Sequence, residues 1–174
     1  MTLPGQETKT RTAFVALDFA TYIVENFSHD AAVAEHASKA LASARGAGLP
    51  VFHVLHEAML GQIHPLLAPV GDEPVLGKTT LSAFATTNLH ELLQASGVGR
   101  IVIAGVATSG TVLSTARWAY DIGYDVAVCA DACADPDAQA HAALVEESVF
   151  PQSWLGLWRI ARIVQSADIA DLRP

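Results

Sequence analysis

The sequence predicts an α/β fold in which a doubly wound, mostly parallel sheet of six strands carries helices on both faces. Short apolar runs alternate along the chain with helical patterns that begin at capping residues and end near glycines. This alternation is typical of parallel sheets whose strands are connected through helices. No repeat or linker interrupts it, and 174 residues suit one domain.

Five of the strands can be located from their composition. Each is a short, mostly apolar run bounded by polar or turn-forming residues. The predicted strands cover residues 12–17, 49–55, 100–104, 125–130 and 160–164. The long stretch 56–78 has little pattern of its own, and loops of that length are often functional.

The predicted helices are bounded by capping residues and breakers. Asp30 is predicted to cap a helix that runs to about residue 45. The Asp135-Pro136 pair is predicted to open another that runs to about residue 149, with proline in its first turn. Two further helices are predicted, one from residue 86 or 87 to 95 and one over 109–122.

Composition and charge restrict the partners. Apolar residues make up 51% of the chain, which suits a compact or oligomeric protein. The formal net charge of -8 argues against nucleic acid or an anionic membrane as the main partner. No apolar run approaches the roughly 20 residues of a membrane-spanning helix. Neither nucleic acid nor a membrane is therefore expected as the main partner.

The ends of the chain and its cysteines bear on location. Residues 1–11 are polar and are predicted to be a flexible N-terminal tail rather than a signal peptide, leaving 12–174 as a single domain. Two cysteines are too few for a disulfide framework and indicate a reducing compartment. A cytoplasmic location is expected.

Three chemically capable positions are predicted to share one edge of the sheet. In doubly wound sheets, ligands bind outside the carboxyl ends of the strands, where the strand order reverses. Asp18 follows the first strand, Lys78 lies in the loop after the second, and the glycine-rich segment 105–111 follows the strand at 100–104. Topology thus predicts a common site but no particular reaction.

The order and spacing of these residues resemble the isochorismatase-like hydrolase superfamily. The matching features are Asp18 after a strand, Lys78 in Gly-Lys-Thr-Thr-Leu-Ser-Ala-Phe, Gly105-Val-Ala-Thr-Ser-Gly-Thr-Val, and Asp131-Ala-Cys-Ala-Asp-Pro-Asp followed by His141. The resemblance covers residues 11–167. It implies a doubly wound, Rossmann-like three-layer sheet, a small-molecule substrate and a homo-oligomer, a dimer or tetramer. No cofactor and no metal is expected.

Thr111 stands where most members of that superfamily have a catalytic cysteine. By resemblance, those members use an Asp, a Lys and the Cys to hydrolyse amide or carbamoyl bonds. A thiol ionises near about pH 8.5, and lower at a helix N-terminus. A threonine hydroxyl is a weak nucleophile that needs a positioned base, and a carboxylate such as Asp18 is a poor one. An amidase with Thr111 as nucleophile is therefore disfavoured, and Cys129 and Cys133 are expected to pack in the core.

Other members without the cysteine, including isochorismatases, cleave a vinyl ether. The resemblance then implies that Asp18 acts as the general acid/base while water completes the hydrolysis, and that Lys78 holds Asp18 or a substrate anion. The Val106–Ala107 bond resembles the family's non-proline cis peptide. With it, the backbone N–H groups of Ala107 and Thr111 are expected to form an oxyanion hole.

Four further side chains are candidates for the substrate pocket: Phe19, His56, Phe84 and Trp118. Aromatic residues near strand and helix ends are more often core residues, so each also has a purely structural interpretation. In isolation, Asp18 resembles a turn residue, Lys78 a solvated lysine and Thr111 a helix cap. The alternative in a different class is a catalytically silent member that binds a small ligand or serves as a subunit.

Two other kinds of site are disfavoured. His53, His56 and His64 cluster in sequence, but residues three apart in a strand point to opposite faces and would not share a metal. The segment 77–80 resembles the end of a phosphate-binding loop but lacks the glycine required at position 72, and 105–110 has no lysine after it.

Overall fold

The computed structural model describes residues 11–172, and its centre is a six-stranded sheet. The strands are β1 (Arg11–Leu17), β2 (Val51–His56), β3 (Val75–Lys78), β4 (Val98–Val106), β5 (Asp125–Ala134) and β6 (Arg162–Val164). They lie in the order β3-β2-β1-β4-β5-β6, and every neighbouring pair is parallel. The predicted doubly wound sheet is confirmed.

Helices cover both faces of the sheet, as predicted. They are α1 (Thr21–Asn26), α2 (Val33–Gly46), α3 (Leu89–Ala95), α4 (Leu113–Asp121) and α5 (Ala138–Val145). One face packs against α2 and the 3-10 segment Ser166–Leu172, and the other packs against α3, α4 and α5. Along β1, Val15 and Leu17 face the second layer while Phe14 and Ala16 face the first, which is the alternation of a strand buried on both sides.

The main difference from prediction is β3. It lies inside the stretch 56–78, which shows no strand pattern, so Lys78 ends a strand instead of lying in a loop. Four residues with a glycine among them form too short an apolar run to be recognised, and the strand is defined by pairing with β2 on one side alone. The rest of the stretch contains single 3-10 turns at Glu57–Met59 and Pro65–Leu67.

Two predicted helix caps act differently. The first long helix begins at Val33, and the Asp30 carboxylate accepts the N–H of Ala32 in the preceding turn. At the other helix, Asp137 rather than Asp135 caps α5, which ends at Val145 and not near 149. Asp135 is used elsewhere, against the segment that follows β4.

Two further helices begin later than predicted. The helix predicted from 86 or 87 begins at Leu89. The segment predicted as one helix over 109–122 opens with a π-helical turn, Thr108–Val112, before α4.

The predicted N-terminal tail lies outside the described residues except for Arg11, which opens β1. Between residues 11 and 172, no helix is long and apolar enough to cross a membrane. The homo-oligomer and the cytoplasmic location stay predictions.

Gly105 allows the ends of β1 and β4 to approach closely. It pairs with Leu17, and a Cβ at position 105 would lie 2.7 Å from both the Cβ and the carbonyl oxygen of Leu17. Any larger residue would push the two strands apart. Since the strand order reverses between β1 and β4, this contact brings Asp18 beside the segment that follows β4.

Candidate active site

A cavity of about 740 Å³, here called the Asp18 cavity, opens at the carboxyl ends of β1, β3 and β4. Five predicted site residues line it, since the parallel strands deliver them to one edge. The lining residues are Asp18, Ile23, Phe27, His56, Met59, Lys78, Thr79, Thr80, Leu81, Val106, Ala107, Gly110 and Thr111.

Asp18 directly follows β1 and has a backbone φ of +54°, the left-handed region that few residues other than glycine adopt. A non-glycine residue held there often marks a functional position. The conformation directs the carboxylate towards β2, where Oδ1 accepts the N–H of His56 at 2.8 Å. Asp18 is 8% exposed.

Lys78 is the charged partner of Asp18. Its Nζ lies 2.7 Å from Asp18 Oδ2 and also donates a hydrogen bond to the Thr80 carbonyl oxygen at 3.0 Å. Lys78 is only 2% exposed. Because both charged groups are withdrawn from water, each depends on the other for compensation.

The hydroxyl of Thr111 has no hydrogen-bond partner among the residues that the structure describes, although the side chain is buried. A threonine nucleophile needs a base within hydrogen-bond reach. No such base is present here, and the two oxygens of Asp18 are directed to Lys78 and to the His56 N–H. A buried hydroxyl that lines a cavity is available to a bound molecule.

The segment between β4 and α4 contains the predicted cis peptide bond, Val106–Ala107. Two partly buried contacts fix the following turn from outside the cavity. The hydroxyl of Thr108 lies 2.8 Å from His141 Nδ1, and the Ser109 N–H donates to Asp135 Oδ2 at 2.8 Å. Together they hold the stretch that carries Ala107 and Thr111.

These supporting residues were missed as site residues. Asp135 and His141 belong to the motif that begins in β5 and continues past its end. This motif indicated a resemblance to the family but did not indicate what the two residues do. Burial lowers the pKa of His141, and the neighbouring His29 ring, 5.1 Å away, lowers it further. His141 therefore favours its neutral form, which suits a hydrogen bond with a hydroxyl.

Three of the predicted pocket residues lie elsewhere. Phe19 packs into the layer beneath α2, because it follows Asp18 and its side chain is directed away from the cavity. Phe84 stacks on Tyr124 within the other layer, with ring centroids 5.9 Å apart. Trp118 lines a neighbouring cavity of about 670 Å³ together with Arg117.

The cysteines are remote from this chemistry. Cys129 and Cys133 are both buried, and neither lines the Asp18 cavity. Burial raises the pKa of both thiols, that of Cys133 to about 12. Neither thiol supplies a thiolate to the Asp18 cavity at neutral pH.

The three clustered histidines have separate surroundings. His53 is buried and its Nε2 lies 2.9 Å from Glu73, His56 lines the Asp18 cavity, and His64 accepts the N–H of Leu66. Between residues 11 and 172, no group of three or more His, Cys, Asp or Glu side chains is arranged to hold a metal ion.

Comparisons with known proteins identify relatives of this chain. Residues 12–153 match the model of the isochorismatase domain. The secreted isochorismatase effector Isc1 of Verticillium dahliae is 36% identical over 111 residues, which is 58% of either chain. Streptothricin hydrolase of Streptomyces noursei is 34% identical over 110 residues, 58% of this chain and 40% of that enzyme. The matches thus span less than two thirds of the length of both relatives.

The fold is shared over a greater length. A solved structure of an isochorismatase family protein from Burkholderia thailandensis superimposes with a TM-score of 0.79 at 25% identity, covering 94% of this chain and 95% of that one. The family model spans most of the chain, and the parallel six-stranded sheet is the fold that the chain shares with that structure. The chain belongs to the isochorismatase family.

Proposed function

We propose that this chain hydrolyses a small organic molecule without a cysteine nucleophile, by acid/base cleavage of a vinyl ether or a related bond. Asp18 is the general acid/base, and Lys78 holds its carboxylate in place by charge. One observation carries the proposal. The Asp18–Lys78 pair is complete, with 2.7 Å between Nζ and Oδ2, while the Thr111 hydroxyl in the same cavity has no base to activate it.

The pair has the groups that this reaction needs. Asp18 delivers a proton to the double-bond carbon, water adds to the resulting oxocarbenium ion, and the proton of that water returns to Asp18. The hemiketal formed in this way breaks its C–O bond and releases an alcohol and a carbonyl compound. The Lys78 Nζ lies 2.7 Å from Oδ2 and holds the carboxylate in place by charge.

The segment after β4 contributes binding. Ala107 and Thr111 both line the cavity. Their backbone N–H groups are the proposed donors to the hemiketal oxygen, which gains negative charge as it loses its proton and the C–O bond breaks. The Thr111 hydroxyl is the proposed hydrogen-bonding partner of the substrate. The names of the two relatives, an isochorismatase effector and a streptothricin hydrolase, support hydrolysis as the type of reaction.

The test is turnover of a panel of vinyl ethers, including isochorismate, by the wild-type protein and by Asp18→Asn. Asparagine tolerates the left-handed backbone at position 18, so the variant removes the acid with little change in the chain path. We expect turnover to fall by about 10²–10⁴-fold. Asp125→Asn is the matched control, because Asp125 begins β5 and so lies at the amino ends of the strands, away from the cavity. Equal turnover by wild type and Asp18→Asn would exclude the proposal.

A second candidate is a catalytically silent member that binds a small ligand or serves as a subunit. The threonine at the nucleophile position, with no base beside it, favours this alternative. Ligand affinity that depends on Asp18 and Lys78, in the absence of turnover on ether, ester and amide panels, would support it. If Asp18→Asn and Lys78→Ala change neither activity nor affinity, the cavity is not the site.

A further inference from the structure

The charges that line the Asp18 cavity cancel each other. Asp18 and Lys78 form one ion pair, and His56 is the remaining titratable side chain of the lining. Of the lining residues, all within the described part of the chain, none is an arginine and Lys78 is the single lysine. The cavity therefore has no cation in excess to receive an anionic group.

Lys78 is poorly placed to bind an anion. Its Nζ is committed to Asp18 at 2.7 Å and to the Thr80 carbonyl oxygen at 3.0 Å, and the residue is 2% exposed. An anion that approached Lys78 would also approach the Asp18 carboxylate, and like charges repel strongly where water is scarce. The nearby Arg117 lines the neighbouring cavity, and its guanidinium donates to the carbonyl oxygens of Trp154 and Leu155.

The remaining walls are largely apolar. They are formed by Ile23, Phe27, Met59, Leu81 and Val106. Phe27 and Leu81 are 41% and 61% exposed. Apolar walls with few, well-placed polar groups are typical of sites for small organic ligands.

We infer that the Asp18 cavity takes an uncharged molecule with an apolar body and one hydrogen-bonding group, which meets the Thr111 hydroxyl. The inference rests on the proposed function for the claim that this molecule is the substrate. It disfavours dianionic compounds such as isochorismate as the physiological substrate. Neutral vinyl ethers, esters or amides fit the lining better.

Binding of benzamide and benzoate tests the inference without any need for turnover. The two molecules share one ring and differ in charge, and calorimetric titration gives both affinities. We expect benzamide to bind at least about tenfold more tightly than benzoate to the wild-type protein. Thr111→Val is expected to weaken benzamide binding by about 2–10-fold, since it removes one neutral hydrogen bond.

Two variants should reverse the preference in a predictable direction. Asp18→Asn leaves the Lys78 charge unpaired, so the ratio of benzoate affinity to benzamide affinity should rise at least about tenfold. Met59→Arg adds a cation to the lining and should also favour benzoate, whereas the neutral control Met59→Gln should not. The response to Asp18→Asn places the ligand at the ion pair.

The inference is overturned if benzoate binds the wild-type protein as tightly as benzamide, or if neither binds at millimolar concentration. The proposed function fails separately. Selective benzamide binding without Asp18-dependent hydrolysis would remove the reaction and leave the ligand class. Asp18-dependent hydrolysis of anionic substrates alone would remove the ligand class and leave the reaction.

Discussion

The ammonium group of Lys78 and the carboxylate of Asp18 lie 2.7 Å apart although their side chains are only 3% and 12% exposed. The two residues end different strands and are separated by most of the first half of the chain. A buried pair of this kind is costly to break on one side, because the remaining charge has no compensation.

The first prediction concerns the stability of this pair. Lys78→Met and Asp18→Asn should each destabilise the protein by about 3–5 kcal/mol, and the double variant by clearly less than their sum. Urea unfolding of the four proteins measures the coupling. Arg100 and Asp125 form a short but more exposed pair, with side chains 27% and 48% exposed, which serves as the control. That pair should contribute about 0–1 kcal/mol. Additive losses at Asp18 and Lys78 would contradict the prediction.

The second prediction separates binding from nucleophilic catalysis at Thr111. If the hydroxyl only donates a hydrogen bond to the substrate, Thr111→Val should lower kcat/KM by about 2–10-fold. If the hydroxyl were the nucleophile, the same change would abolish turnover. Steady-state kinetics distinguishes the two outcomes, with Thr111→Ser as the variant that retains a hydroxyl.

The third prediction concerns a thiol at the same position. Thr111→Cys should be alkylated by iodoacetamide once per chain under native conditions, because position 111 lines the cavity. The wild-type protein should stay unmodified, since Cys129 and Cys133 are buried and burial raises the pKa of both thiols. Mass spectrometry of intact and digested protein measures the reaction. Labelling of wild type at an equal rate would show that the buried cysteines are accessible.

The fourth prediction is a loss of stability in acid that depends on Glu73. Burial alone would raise the pKa of Glu73, but hydrogen bonds from Arg45, His53 and the Val70 N–H outweigh it and lower the pKa to about 2. The folded carboxyl thus binds its proton less readily than the unfolded one, whose pKa is near 4.5. The stabilisation is present above pH 4.5 and is lost as the pH falls from there towards 2.

Glu73→Gln tests this dependence through urea unfolding at several pH values. The variant should be less stable than wild type at pH 7. The difference should shrink by about 1–2 kcal/mol between pH 5 and pH 2, because solvent screens this partly exposed group. His53 acts in the same direction over a higher range. Burial lowers the pKa of His53 in the folded protein. As the pH falls below about 6.5, His53 is therefore protonated more readily in the unfolded chain, which lowers the stability of the fold. A constant difference from pH 7 to pH 2 would show that Glu73 does not carry the effect.

The fifth prediction concerns the support of the segment after β4. His141→Ala removes the partner of the Thr108 hydroxyl and should lower kcat by about tenfold with a smaller change in KM, since the oxyanion donors lose their position. His141→Asn, which retains a hydrogen-bonding side chain, should recover part of the loss. An effect on unfolding alone, with kcat unchanged, would make the contact purely structural.

The sequence predicted the meeting of Asp18, Lys78 and the segment 105–111 for a physical reason. Apolar runs reveal parallel strands, and parallel strands deliver the residues that follow them to one edge. The argument succeeded even though β3 was not recognised, because Lys78 still follows β2 along the chain. A four-residue edge strand is defined by its neighbour and not by its own composition.

Side-chain direction was the part that could not be predicted. Phe19 and Phe84 are close in sequence to site residues but point into the two core layers, since adjacent residues leave the backbone in different directions. The unpaired hydroxyl of Thr111 was equally hidden. Whether a hydroxyl has a hydrogen-bond partner depends on segments that are distant in sequence. Here the Asp18 carboxylate accepts the N–H of His56, and the Thr111 hydroxyl has no partner among the described residues.

The position of Lys78 at the end of an edge strand affects how the site persists over time. Among the strands, β3 is hydrogen-bonded to β2 alone, through four paired residues, and the Arg45–Glu73 contact lies just before it. Edge segments detach in local fluctuations that cost less free energy than global unfolding. Each detachment of β3 would take the ammonium away from Asp18 while the central strands remain paired. We therefore expect the lifetime of the Asp18–Lys78 contact to depend on how often the hydrogen bonds between β3 and β2 open. Amide exchange along β3 measures this opening.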